Sequence, residues 1–134
     1  MPETFQLEIV TPDKLVANVA ASEAQLPGKS GYLGILPGHA PLITELAAGE
    51  LSYVSDGATV RLAVAWGFAE VLQDKVTVLA ETAEAPSQID VAAAQKDKAA
   101  AEDALAHPTE DTDYDKLLGE VQLADTRLQV ASGK

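Results

Sequence analysis

Apolar and polar residues alternate from Thr4 to Val10, with Phe5, Leu7 and Ile9 on one face and Gln6 and Glu8 on the other. A period of two marks a strand with one buried face. Thr11-Pro-Asp-Lys is a turn in which Pro12 supplies the fixed φ. Leu15 to Leu26 is one long, weakly alternating, β-permissive run, closed by the turn Pro27-Gly-Lys-Ser-Gly31. Gly31 to Leu42 holds three glycines, two prolines and one histidine in twelve positions. Pro37 and Pro41 lack donors and the glycines favour turns, so this stretch is a short strand and a rigid turn, not a helix. A short strand at Leu42 to Leu46 follows. Glu50 to Ser55 and Ala58 to Ala65 flank Asp56-Gly57, a strong hairpin signal, and Leu51, Tyr53, Val60, Leu62 and Val64 keep the alternation. Trp66-Gly67-Phe68 opens a further strand, and Val76 to Glu81 closes the set. At least seven short strands in about 80 residues, with frequent turns and no βαβ alternation, predict an antiparallel sandwich or flattened barrel.

The pattern changes at Glu84-Ala-Pro-Ser. Ser87-Gln-Ile-Asp90 has the form of a capping box, with Asp at its end in place of Glu or Gln. Val91 to Ala106 is rich in alanine, lysine and acids, and His107-Pro108 stops it. Asp113 is an N-cap candidate for a second helix, whose stripe is Tyr114, Leu117, Val121, Ala124, Leu128 and Ala131, widened by Leu118. The expected organisation is a β-domain over residues 1–84 and an antiparallel αα-hairpin over 85–134, with helices at about 89–106 and 114–131. The first helix offers mainly Ala94, Ala101 and Leu105. At about 25 cal/mol per Å², such a face gains only a few kcal/mol by packing. Ordering the backbone costs about 1–2 kcal/mol per residue, so the hairpin sits near balance and can undock.

Formal net charge is -12, which argues against nucleic acid and anionic lipid as direct partners. The absence of cysteine removes disulfides, thiolate chemistry and cysteine-ligated metal. The N-terminus lacks the basic start and apolar core of a secretory signal, and no apolar run approaches the ~20 residues that span a bilayer. The expectation is a soluble chain that reaches membranes only through partners.

Little here assembles an active site. His39 lies in a turn with no nucleophile spaced to use it, and reads as a structural or contact histidine. His107 reads as a solvated helix end. Glu110, Asp111, Asp113 and Asp115 lack the glycine and closing glutamate of a calcium loop. Pro27-Gly-Lys-Ser30 lacks the glycine that opens a phosphate loop. Trp66 and Phe68 read as core aromatics.

Gly34-Ile-Leu-Pro-Gly-His-Ala-Pro-Leu42, Trp66-Gly-Phe-Ala-Glu-Val71, Val76-Thr-Val-Leu-Ala80 and the Ile89-Asp90 start of a two-helix tail together carry a resemblance. Over nearly its whole length the chain resembles the epsilon subunits of F-type ATP synthases, called delta in mitochondria. The resemblance implies a ten-stranded β-sandwich followed by an αα-hairpin. It implies a non-catalytic rotor subunit that binds the gamma subunit and the ring of c subunits, coupling ion flow to ATP synthesis on alpha and beta. The place implied is peripheral, on the cytoplasmic face of the membrane. Bacterial members also swing the hairpin into the catalytic head, where it meets alpha and beta and restrains hydrolysis.

Carried onto this sequence, the ring and gamma side is Tyr32, Leu33, Pro37 and His39; if the extended hairpin pairs with acids on alpha or beta, the tail's few cations, among them Lys96, Lys98 and Arg127, must do the pairing. Tyr32 stands where the family often has an acid before Leu-Gly. Some members hold ATP through a motif whose isoleucine, aspartate and alanine match Ile89, Asp90 and Ala94. Its arginine is here Ala93, so the phosphate clamp is missing and the expectation is no cofactor, with at most weak ATP binding. The competing reading is a stand-alone β-sandwich interaction module with a helical dimerisation tail; a small hydrolase built on His39 is a distant third.

Overall fold

The computed structural model describes residues 3–133; Met1, Pro2 and Lys134, at the ends of the two expected regions, lie outside the described residues. Eight strands run in order: β1 (Phe5–Val10), β2 (Leu15–Ala21), β3 (Glu23–Gly28), β4 (Gly31–Ile35), β5 (Leu42–Glu45), β6 (Gly49–Ser55), β7 (Ala58–Val71) and β8 (Lys75–Glu84). A single 3-10 turn (Pro86–Gln88) leads to helices α1 (Val91–Ala106) and α2 (Tyr114–Ser132). The strands hydrogen-bond in the order β2-β1-β8-β7-β6-β3-β4, and β5 pairs with β7.

The sheet folds over on itself because its long strands bend. Trp66 and Gly67 in β7 both have positive φ, at 56° and 110°. Ala65 pairs Thr82 and Gly67 pairs Ala80, while Trp66 drops out of the ladder. Only glycine fits at 67, where an added Cβ would fall 1.9 Å from the Leu79 carbonyl oxygen. On the other edge of β7, β6 pairs residues 58–64 and β5 pairs residues 68–71, so both partners share the bend. Counting limbs of the bent strands, β2, β1, β8, β7 and β5 form one layer, and β8, β7, β6, β3 and β4 form the other. Leu7, Ile9, Leu26, Ile35, Leu46, Leu51, Val64, Val71, Val76 and Val78 fill the space between and are fully buried.

Three details depart from expectation. The run from Leu15 breaks at Ser22, whose N–H donates to Val54 O at 2.8 Å as the chain passes between layers. One pair, β1 with β8, is parallel in a sheet otherwise antiparallel. Asp90, and not Ser87, caps α1: its carboxylate accepts from Ala93 N at 3.0 Å, while Gln88 Oε1 accepts from Ala85 N. Asp113 caps α2 by accepting from Lys116 N, and Gly133 ends it in the left-handed conformation. At the hairpin turn, Asp56 (φ 52°) and Gly57 (φ 76°) take the left-handed geometry of a two-residue connection. Among the described residues, no helix is long and apolar enough to cross a membrane.

Candidate functional site

The two outer faces of the sandwich have different fates. The hairpin lies over the β6–β7 layer through α2, while α1 packs chiefly on α2. Ala63 of β7 is buried there with Ile89 and Val130. Gly119 leaves a notch for Trp66, whose indole edge would sit 3.6 Å from a Cβ at that position. Gln122 Nε2 donates to Ala48 O at 2.8 Å. Arg127 donates from Nε to Glu84 Oε1 at 2.8 Å and from Nη2 to Glu84 Oε2 at 3.2 Å, a bidentate pair with the end of β8. Between the helices, Ala94, Ala101 and Ala124 are buried, and Lys98 Nζ lies 2.8 Å from Asp125 Oδ1. That hydrogen bond holds the Lys98 ammonium above its ordinary pKa.

The opposite layer is bare. Phe68 is 53% exposed and Leu79 54% exposed, and their Cα positions pair across β7 and β8. Leu79 in turn pairs Val10, and Val10 pairs Leu15, which is also exposed. One apolar row thus crosses four strands, with exposed Ile43 on the edge strand beside it. The expectation that Phe68 belongs to the core is corrected: the bend at Trp66-Gly67 resets the alternation, so Ala69 and Val71 turn inward and Phe68 outward. Trp66 is only half-buried, between sandwich and hairpin.

The four residues assigned to the ring and gamma side are not brought to one place. Tyr32, 60% exposed, lies at the start of β4 across Gly49, and its hydroxyl accepts from Glu50 N at 3.0 Å. It lines a cleft of about 930 Å³ with Lys29, Trp66, Asp115 and Gln122. Lys29 there is held above its ordinary pKa by its hydrogen bond to Glu45. Leu33 packs against the core. Pro37 and His39 lie beyond the other end of β4, half-buried in a loop tied to the β7–β8 turn by Gly38 N donating to Gln73 O at 2.8 Å. His39 Nδ1 bonds the Ala40 carbonyl at 2.7 Å, a turn-locking contact. Leu36 (60% exposed) and Leu72 project from this end; the apolar character of Leu36 argues for burial, and the structure leaves it in solvent.

Of the three cations, Lys98 and Arg127 are engaged inside the docked hairpin, and Lys96 is exposed with no ion pair among the described residues. Asp90 is engaged as a helix cap. The small cleft by Arg127 is lined also by Asp97 and Glu120, so carboxylates surround the one guanidinium. No group of acids and histidines among the described residues forms a metal site.

The β-sandwich domain model of the ATP synthase delta/epsilon chain matches residues 4–86, and the long α-helix domain model of the same family matches residues 87–132. The chain is 66% identical over 105 residues to the ATP synthase epsilon chain of Koribacter versatilis, covering 78% of this chain and 74% of that one. It is 44% identical over 132 residues to the ATP synthase epsilon chain of Trichlorobacter lovleyi, covering 98% and 96%. Its fold is shared, at a TM-score of 0.76 and 22% identity, with a chain of the Euglena gracilis mitochondrial ATP synthase OSCP/F1/c-ring assembly, covering 100% of this chain and 84% of that one. With two domain models matched end to end and near-full-length relatives, the chain belongs to the delta/epsilon family of ATP synthase.

Proposed function

We propose that this chain is a non-catalytic rotor subunit that holds the gamma subunit on its bare apolar face and meets the c ring with the Leu36–His39 end of the sandwich. The observation that carries this reading is the row Phe68, Leu79, Val10 and Leu15, left uncovered on one layer while the other layer is covered by the chain's own hairpin. An exposed apolar row of this extent marks a protein partner. The chain would then lie at the cytoplasmic face of the membrane, peripheral, through the complex. Family membership favours this over a stand-alone module with a dimerising tail.

The test is co-purification with gamma. The full chain and a chain truncated after residue 86 are both expected to retain gamma, because the strands and their core close before the first helix. Phe68→Asp with Leu79→Asp is expected to lose it while circular dichroism keeps the sandwich signal. Loss of gamma on truncation, or retention by the double variant, defeats the assignment of this face.

The hairpin is proposed to undock and restrain ATP hydrolysis on alpha and beta. Deleting residues 87–134 is expected to raise the ATPase rate of the reconstituted complex and leave coupled synthesis largely intact. Lys98 and Arg127 are engaged in the docked hairpin, so Lys96→Ala is the change that should raise the rate slightly, an exposed pair being worth about 1 kcal/mol at most. Nucleotide is not proposed as a tight ligand: with Ala93 in the arginine position and Asp97 and Glu120 beside Arg127, affinity for ATP should be about millimolar or weaker. Calorimetric titration giving a micromolar Kd would overturn that.

A further inference from the structure

Arg127 ties its own helix to two other elements at once. From α2 its guanidinium takes both carboxylate oxygens of Glu84 on β8, and its Nη1 lies 3.8 Å from Asp97 Oδ2 on α1. Its side chain is only 16% exposed and that of Glu84 25%, so the bidentate pair is partly withdrawn from water and its geometry is fixed. Glu84 is the last residue of β8, and its Cα pairs that of Ala63, the alanine beneath Val130. The apolar part of the docking seam is small: Ala63, Ile89 and Val130, with Ala131 beside them. A directional charge pair therefore stands where a larger apolar seam would make docking permanent.

Removing the guanidinium does more than delete one contact. It leaves Glu84, Asp97 and the nearby Glu120 gathered around an empty centre, three acids in a hairpin already rich in acids. Lys14 lines the cleft on the Glu84 side, but among these groups acids outnumber it, so attraction across the seam is expected to turn to repulsion that favours the open hairpin.

We propose that Arg127 is an internal latch, its clasp of Glu84 and approach to Asp97 setting the balance between docked and open hairpin without a bound ligand. The inference rests on the reading that the hairpin undocks. It predicts opposite salt responses with and without the arginine. In the native chain salt screens an attraction, so docking weakens as salt rises; in Arg127→Ala salt screens a repulsion, so docking strengthens.

Trp66, the sole tryptophan, lies against Gly119 and reports docking by its emission in the isolated full chain. At low salt Arg127→Ala is expected to shift emission to the red, with the docked-to-open ratio falling about ten-fold, and added salt should reverse the shift. Arg127→Lys keeps the charge but not the fork and should fall between. Arg127→Ala with Glu84→Gln and Asp97→Asn should return towards the native emission. Val130→Asp, which breaks the apolar seam, is the control for opening. Native emission and salt response in Arg127→Ala, with Val130→Asp shifted, overturn the latch and leave the hairpin reading standing. A triple variant as open as Arg127→Ala also overturns it. No shift in either Arg127→Ala or Val130→Asp overturns the latch together with the undocking it rests on.

Discussion

The sandwich and the hairpin are held by different kinds of force. Leu7, Ile9, Leu26, Leu51, Val64 and Val78 are fully buried between the layers, each a branched aliphatic that withdraws a large area from water. Among the described residues of the helix pair, Val130 is the one large apolar side chain fully buried, and Ala94, Ala101 and Ala124, with single methyl groups, withdraw little. What the hairpin lacks in area it recovers in directional contacts: Gln122 to Ala48 O, Arg127 to Glu84, and Lys98 to Asp125. Area-driven packing is insensitive to salt and local rearrangement. Directional polar contacts break one at a time and re-form, which suits a part that must leave and return.

The comparison breaks first on core truncation. Leu51→Ala removes a fully buried side chain from the centre of β6 and is expected to cost about 2–5 kcal/mol. Leu105→Ala, near the end of α1 and only half-buried, should cost about 1 kcal/mol or less. Urea denaturation followed by circular dichroism checks both. Equal costs would mean that the hairpin carries a core of its own and the contrast is false.

Gly119 sharpens the contrast at smaller cost. It lies inside the unbroken α2, where glycine is about 1 kcal/mol worse than alanine, yet a Cβ there would meet Trp66 at ordinary contact distance, 3.6 Å. Gly119→Ala should therefore stabilise the hairpin by about 0.5–1 kcal/mol and stay docked. Gly119→Leu should push Trp66 out of the notch and open the seam. Thermal unfolding separates the first effect and tryptophan emission the second. If Gly119→Ala opens the hairpin as Gly119→Leu does, the notch is tighter than the geometry says.

What was legible in the sequence follows the same division. Local signals were enough for β1, for the Asp56-Gly57 hairpin and for the Asp113 cap, because each rests on residues within a few positions. The parallel pairing of β1 with β8 joins strands about 70 residues apart, and no local pattern encodes it. Phe68 is misplaced because its aromatic character alone argues for the core, while the two positive φ angles at Trp66-Gly67, which decide which residues after them face inward, leave no local hydrophobic pattern. Part of the docking face of α2 was missed for a different reason. Apolar periodicity finds Leu117, Val121, Ala124, Leu128 and Ala131, all buried or half-buried, together with exposed Tyr114 and Leu118, and passes over Gly119, Gln122 and Arg127. Those three dock through a notch and hydrogen bonds, and polarity hides them from a hydrophobic count. Within the site, the resemblance puts Tyr32 and His39 on one side, but β4 carries the chain between them, with Tyr32 at its start and His39 beyond its far end.

The smallest effect concerns Lys98 and tests whether exposed directional contacts matter to the hairpin at all. Its hydrogen bond to Asp125, then the charge of that carboxylate, raises the ammonium above its ordinary pKa of 10.5. A raised folded value means the pair supports the helices fully below the ordinary value, and that support disappears as pH rises through the raised one. The native chain should show an added loss of helical signal in that alkaline window. Lys98→Met has no ammonium to titrate and should lack that step, while other alkaline ionisations are common to both chains and cancel in the difference. Both partners are substantially exposed, so the step should be smaller than the opening caused by Gly119→Leu. Identical alkaline profiles would show that Lys98–Asp125 adds nothing, leaving Arg127 and Gln122 as the hairpin's effective directional contacts.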